Sequence, residues 1–218
     1  MSFASYTSFG TSLVGWLLDS NTATITDVGV SQVADLITVA ETRIFREART
    51  KEMETSFGST ISAGVLALPT GYLALRRAFI NSSPISSLER RSAEWIHMNY
   101  PDNSASGVPK FIARYGTNFI FGPYPDSAYT VNGTYYKSPT AISGAALNEL
   151  FSTNPDLYLF ACLAEADILI GNDKRIQMWE AKYQKILMLV NGVDQAEIGS
   201  GSSLQMRVAK NQSFVAQS

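Results

Sequence analysis

One cysteine and one histidine are all that the 218 residues offer to sulfur and imidazole chemistry. A lone cysteine, Cys162, makes neither an intramolecular disulfide nor a cysteine-based zinc site. It lies in the apolar run Leu157-Tyr158-Leu159-Phe160-Ala161-Cys162-Leu163-Ala164, where burial leaves a thiol inert. A lone histidine, His97, excludes every paired-histidine metal motif, and any Ser–His–Asp triad would have to be built on it. Ser82, Ser83 and Ser92 are near it in the chain, yet none sits in a Gly-x-Ser-x-Gly elbow. Charge is scarce too: 17% of residues, below the usual quarter, with a net charge of −2, so no overall basic field exists to hold nucleic acid. No stretch approaches the length of apolar sequence that spans a bilayer, and Met1-Ser2-Phe3-Ala4-Ser5 lacks the basic and apolar regions of a signal peptide. Tyr115-Gly116-Thr117 and Gly199-Ser200-Gly201 lack the lysine or the strand-to-helix setting of a phosphate-binding loop. No catalytic residue, metal ligand or cofactor is therefore expected.

What is present divides into three parts. In residues 1–51, Phe3, Tyr6, Phe9, Leu13, Trp16 and Leu17 recur at helical spacing, and the pattern closes near Asp19-Ser20-Asn21. A second helix is expected from Val30, with Val33, Leu36, Ile37, Ala40, Ile44 and Ala48 as its buried stripe. Its outer face is read as Glu41, Arg43, Arg46, Glu47, Arg49, Lys51 and Glu52, with opposite charges three to four residues apart. Residues 52–151 change character. Met53 to Ile61, Val65 to Leu68, Leu73 to Asn81 and Tyr129 to Lys137 read as strands, and Lys110-Phe111-Ile112-Ala113-Arg114-Tyr115 with Asn118-Phe119-Ile120-Phe121 as a hairpin about Gly116-Thr117. Ser92 is placed to cap a short helix. Sequential strands on tight turns predict antiparallel pairing. Residues 152–198 are helical again: Asn154 as N-cap with Pro155 at the first helical position opens one helix, expected to run to about Ile170, and a last helix is expected over about 173–191. Residues 199–218 start with the linker Gly199-Ser200-Gly201-Ser202-Ser203 and read as a flexible tail. The fold class is α+β: a bundle of about four helices, an inserted antiparallel β-domain and an extended C-terminal tail.

Three sets of polar residues merit weighing. A glycosidase needs two acids, and Glu89, Glu94, Asp102, Glu149, Asp156, Glu165 and Asp167 are candidates. Glu165 and Asp167 follow an apolar helical run, which places one of them partly buried, and a buried helix acid is more often hydrogen-bonded or paired with Arg or Lys than catalytic. Arg76-Arg77 and Arg90-Arg91 lie near Tyr72, Phe79 and Trp95, a mixture that suits single-stranded nucleic acid, but neighbours in a strand face opposite ways. In the tail, Leu204, Met206 and Val208 alternate with Gln205 and Arg207, a pattern compatible with adding a strand to another chain.

Several segments, in order, resemble a known family. Ala40-Glu41-Thr42-Arg43-Ile44-Phe45-Arg46-Glu47 with Lys51-Glu52-Met53-Glu54-Thr55 resembles a signature of the head–tail adaptor (connector) proteins of short-tailed bacteriophages. Leu68-Pro69-Thr70-Gly71-Tyr72-Leu73, Pro109-Lys110-Phe111, Phe121-Gly122-Pro123-Tyr124-Pro125, Tyr135-Tyr136-Lys137, Asn154-Pro155-Asp156-Leu157-Tyr158-Leu159-Phe160 and Leu204-Gln205-Met206-Arg207-Val208 follow in the family's order. The resemblance implies a structural virion protein at the head–tail junction, made in the host cytoplasm. It implies a ring of about twelve copies between the portal protein and the tail nozzle, through which DNA passes without sequence-specific binding. It implies no membrane partner. Leu204, Gln205, Met206, Arg207 and Val208 carry over as a portal-docking tail. Glu41, Arg43, Arg46 and Glu47 carry over as motif residues for either core pairing or subunit contact. Two other functions stand beside this one. A tail-associated peptidoglycan hydrolase would need two converging acids, or an acid beside His97. A single-stranded nucleic-acid-binding protein would show salt-dependent binding.

Overall fold

The computed structural model describes residues 3–18, 29–82, 84–101, 106–144, 146–166 and 174–200. The fold is mixed α+β, with six α-helices and mainly antiparallel sheets among those residues. The helices are α1 (Tyr6–Leu18), α2 (Val30–Glu47), α3 (Ala93–Asn99), α4 (Glu149–Thr153), α5 (Pro155–Ala164) and α6 (Arg175–Ser200). Helix α5 is the centre of the helical half. Leu157, Tyr158, Leu159, Ala161, Cys162 and Leu163 are all buried, so it is apolar nearly all round and needs neighbours on every side. Helices α1, α2, α4 and α6 supply them. The stripe expected on α2, from Val33 to Ala48, is buried throughout, and Phe9, Leu13 and Leu17 of α1 join the same core.

The strands are β1 (Glu54–Thr60), β2 (Val65–Ala67), β3 (Tyr72–Ile80), β4 (Ser86–Ser87), β5 (Glu89–Arg90), β6 (Ser106–Gly107), β7 (Phe111–Tyr115), β8 (Asn118–Gly122), β9 (Tyr124–Pro125) and β10 (Thr130–Lys137). They form one four-stranded sheet in the order β1-β10-β3-β4, a second in the order β2-β8-β7-β5, and the small pair β6-β9. The two larger sheets share a second core, built from Ile61, Leu75, Ile80 and Val131 on one side and Leu66, Ile112, Phe119 and Phe121 on the other. The hairpin at Gly116-Thr117 has the expected register, with Tyr115 opposite Asn118 and Gly116 at a positive φ of 59°. Gly133 is required for space: a Cβ there would come within 2.3 Å of the Arg77 carbonyl and 2.8 Å of Phe57.

The structure corrects four expectations. Pairing is not uniformly antiparallel or sequential: β1 pairs with β10, and β5–β7 and β6–β9 are parallel. The β5–β7 case is possible because α3 lies in the connection and carries the chain back to start β7 in the same direction as β5. The last helix runs to Ser200, nine residues beyond the expected end at 191, and takes in the first two residues of the predicted linker. Gln195, Ala196 and Glu197 favour helix and no proline interrupts it, so Gly192 and Gly199 only weaken it. Asn154 makes no side-chain cap, although Pro155 does begin α5. The helix expected to run to Ile170 ends earlier: α5 closes at Ala164, with the Glu165 N–H bonded back to the Ala161 carbonyl. The expected stop at Asp19-Ser20-Asn21 and the one at Gly171-Asn172-Asp173 lie outside the described residues.

Ser92 does cap α3: its hydroxyl accepts the Trp95 N–H at 3.2 Å. Ser92→Ala should cost about 1 kcal/mol in urea unfolding. Faster amide exchange in α3 should accompany it, and unchanged exchange there would mean the cap is dispensable.

Candidate functional site

The polar residues of the α2 signature converge on one place. Arg43 projects from α2 between α5 and α6. Its Nη1 donates to Glu165 Oε1 at 2.8 Å and to Glu180 Oε2 at 2.9 Å, and its Nη2 donates to Glu180 Oε1 at 2.5 Å. Its Nε reaches Glu47 Oε1 at 3.3 Å, and the guanidinium lies 4.5 Å from the centre of the Tyr183 ring. Tyr183 in turn donates its hydroxyl to Glu47 Oε2 at 2.7 Å. Three carboxylates and a phenol thus surround one cation. The fork of the guanidinium suits this role, since it can meet two carboxylates in plane and still stack on a ring. Arg43 and its hydrogen bonds hold the Glu180 carboxyl below the usual range, while burial and the neighbouring Glu47 push the Tyr183 hydroxyl up.

Glu41, two residues before Arg43, occupies a second site on another side of α2. It is 4% exposed, and its Oε1 accepts the Ile142 N–H at 2.9 Å. Burial pushes its carboxyl up to about 7, with the Ile142 N–H opposing. The outer-face reading of Glu41 is therefore corrected. It continues the row Ile37, Ile44, Ala48 at steps of four, three and four, which is the buried side of the helix. That spacing was the available signal. Arg46 and Glu47 are exposed as read, and the end of α2 is held by Asn191 of α6, which accepts from Arg49 N–H and donates to the Glu47 carbonyl.

The other candidates scatter. Cys162 is buried, and desolvation pushes its thiol up, away from reactivity. His97 is exposed and packs edge-on to Tyr115 at 5.3 Å. Arg76 sits at a bulge in β3 and pairs with Glu54, while Arg77 is exposed. Arg90 donates to the Leu75 carbonyl, and Arg91 pairs with Glu89 and lies over Trp95. The doublets are thus engaged within the chain. Among the described residues, Glu165 meets Glu47 and Glu180, but around a cation that fills the space a substrate would need. Asp102, Asp167 and the tail residues Leu204, Gln205, Met206, Arg207 and Val208 lie outside the described residues. Among those described, no group of three or more His, Cys, Asp or Glu side chains could hold a metal ion, and no helix is long and apolar enough to cross a membrane.

This combination, polar residues spent on joining helices and two cores joined by a continuous chain, defines a mixed α+β protein built around structural contacts. The chain belongs to the SU10 adaptor protein family, whose model matches residues 4–207. The match agrees with the resemblance to phage head–tail adaptors and indicates a structural role in the virion. No curated protein matches the chain.

Proposed function

We propose that this protein is a head-to-tail adaptor that forms a ring of about twelve copies between the portal protein and the tail nozzle. The ring extends the DNA channel and offers the surface to which the tail attaches. The observation that carries this reading is the family match over residues 4–207, nearly the whole chain. The architecture within it is a helical bundle bearing the β-domain as an insert. Glu41, Arg43 and Glu47 serve as core pairing that keeps the bundle rigid, and the exposed Arg46 is left for subunit contact. The tail beyond α6, in which Leu204, Met206 and Val208 alternate with Gln205 and Arg207, docks on the portal by adding a strand to it.

Deleting residues 201–218 leaves α6 whole and should abolish co-sedimentation with assembled portal. Unchanged binding would defeat tail docking. Failure of the full-length chain to bind portal at all would defeat the adaptor reading.

A further inference from the structure

Among the described residues, the sheet β1-β10-β3-β4 ends in two open edges, β1 and β4. Ile61 N–H donates to the Tyr129 carbonyl at 2.9 Å, and the β1–β10 register continues pair by pair from there. Thr55, Phe57 and Ser59 therefore spend their backbone groups on β10, while Glu54, Ser56, Gly58 and Thr60 turn theirs to the open edge. Side-chain geometry agrees: the Thr60 and Thr130 hydroxyls are 3.3 Å apart, as in a pair without mutual backbone bonds. On β4, Leu88 N–H donates to the Ala78 carbonyl, so the same alternation turns Ser87 and Ile85 outward.

Edges of this length are normally guarded by charge or proline. From Thr55 to Ile61 there is neither. The β4 edge is short, Ser86–Ser87, and carries Pro84 before it but no charge from Ile80 to Leu88. Glu54, at the start of β1, is neutralised in place by Arg76. Beside β4, Ile85 is 67% exposed, a large apolar side chain at the point where a new strand would lie.

The topology also selects the partner. The four strands alternate in direction. A strand that continues the alternation beside β4 must run as β1 runs, so a second copy can supply its β1 without being inverted. Copies joined in this way are related by rotation, the head-to-tail contact that closes into a ring.

We propose that the open edge of β1 takes the β4 edge of a second copy of this chain, continuing the sheet from subunit to subunit. This rests on the ring reading above. The test uses full-length chains under conditions where the wild type sediments as an oligomer, alone or on the portal. Ser56→Cys and Ile85→Cys are made separately, mixed and treated with a short bismaleimide; Cys162 is buried and stays unlabelled. The mixture should give a cross-linked dimer of the two variants, and neither variant alone should. Ser56→Pro removes one outward N–H and leaves the β10 ladder intact, and it should weaken self-association about tenfold, as expected for one lost hydrogen bond at an edge. Cross-linking of Ser56→Cys to itself, no cross-link in an oligomeric mixture, or assembly of folded Ser56→Pro equal to wild type would overturn edge pairing while leaving the ring reading intact. A wild type that stays monomeric both in solution and on the portal would overturn both.

Discussion

Arg43→Met should lower the free energy of unfolding by about 2–3 kcal/mol at neutral pH, with Arg46→Met on the same helix changing it by less than about 0.5 kcal/mol. The two differ in surroundings rather than in charge. Arg46 is exposed and has no ion pair among the described residues. Arg43 is 21% exposed in its side chain and is the one cation among Glu47, Glu165 and Glu180. Removing it leaves three carboxylates facing one another across the junction of α2, α5 and α6, and strips the Tyr183 ring of its stacked partner. Breaking a fully buried pair costs about 3–5 kcal/mol; the value here is smaller because Glu47 and Glu180 keep access to water and can relax into it. Arg43→Lys should recover only part of the loss, since an ammonium cannot hold Glu180 at two points while stacking on the ring. The pH dependence gives an independent check. Glu180 is held below its ordinary range in the folded state, so its share of stability is present above that range and disappears as pH falls through the lowered value. Wild type and Arg43→Met should therefore converge in acid. An equal gap at pH 3 and pH 7 would place the effect in packing rather than in the ion pairs.

The parts of this fold that repeat at a fixed period were legible in the sequence. The α2 stripe, the α1 face, the hairpin about Gly116 and the Ser92 cap all follow from spacing over a few residues, and the structure places each where that spacing put it, save Trp16 of the α1 face, which is exposed. What was not legible depends on residues far apart in the chain. Nothing local to Glu54–Thr60 says that its partner is Thr130–Lys137 rather than the next strand, and nothing local to Glu89-Arg90 says that α3 makes a parallel return. The charged site was legible in halves. One of Glu165 and Asp167 was expected to be partly buried and hydrogen-bonded or paired with a cation, and Arg43 was expected either to pair in the core or to meet a neighbour. Joining the two required α5 and α6 to pack against α2, which is a tertiary fact, and Glu180 carried no signal beyond its helix. Glu41 is a different kind of miss. Its position on the buried row could be counted, but its charge outweighed its spacing in the reading.

That buried carboxylate gives the other large effect. The folded value of Glu41, about 7, lies above its ordinary 4.5, so the folded state holds a proton that the unfolded chain has already released. Stability contributed by this group is full below pH 4.5, declines as pH rises toward 7, and is flat beyond. The gap between 4.5 and about 7 corresponds to about 3 kcal/mol of lost stability on the alkaline side. Glu41→Gln cannot ionise, and its amide oxygen can still accept the Ile142 N–H. The variant should match wild type near pH 4, and should exceed it by about 2–3 kcal/mol at pH 8 in urea unfolding. Tyr6, Tyr158 and Cys162 surround the site, but all three are pushed up from already alkaline values, so none titrates in this window. The difference between the two stability curves thus isolates one carboxyl. Glu41→Ala separates the remaining term: it also avoids the charge, but it leaves the buried Ile142 N–H without an acceptor and opens a void, so it should fall below Glu41→Gln at every pH. A difference curve that stays flat from pH 4 to pH 8 would mean that the Ile142 N–H offsets burial and that Glu41 titrates alike in the folded and unfolded chains.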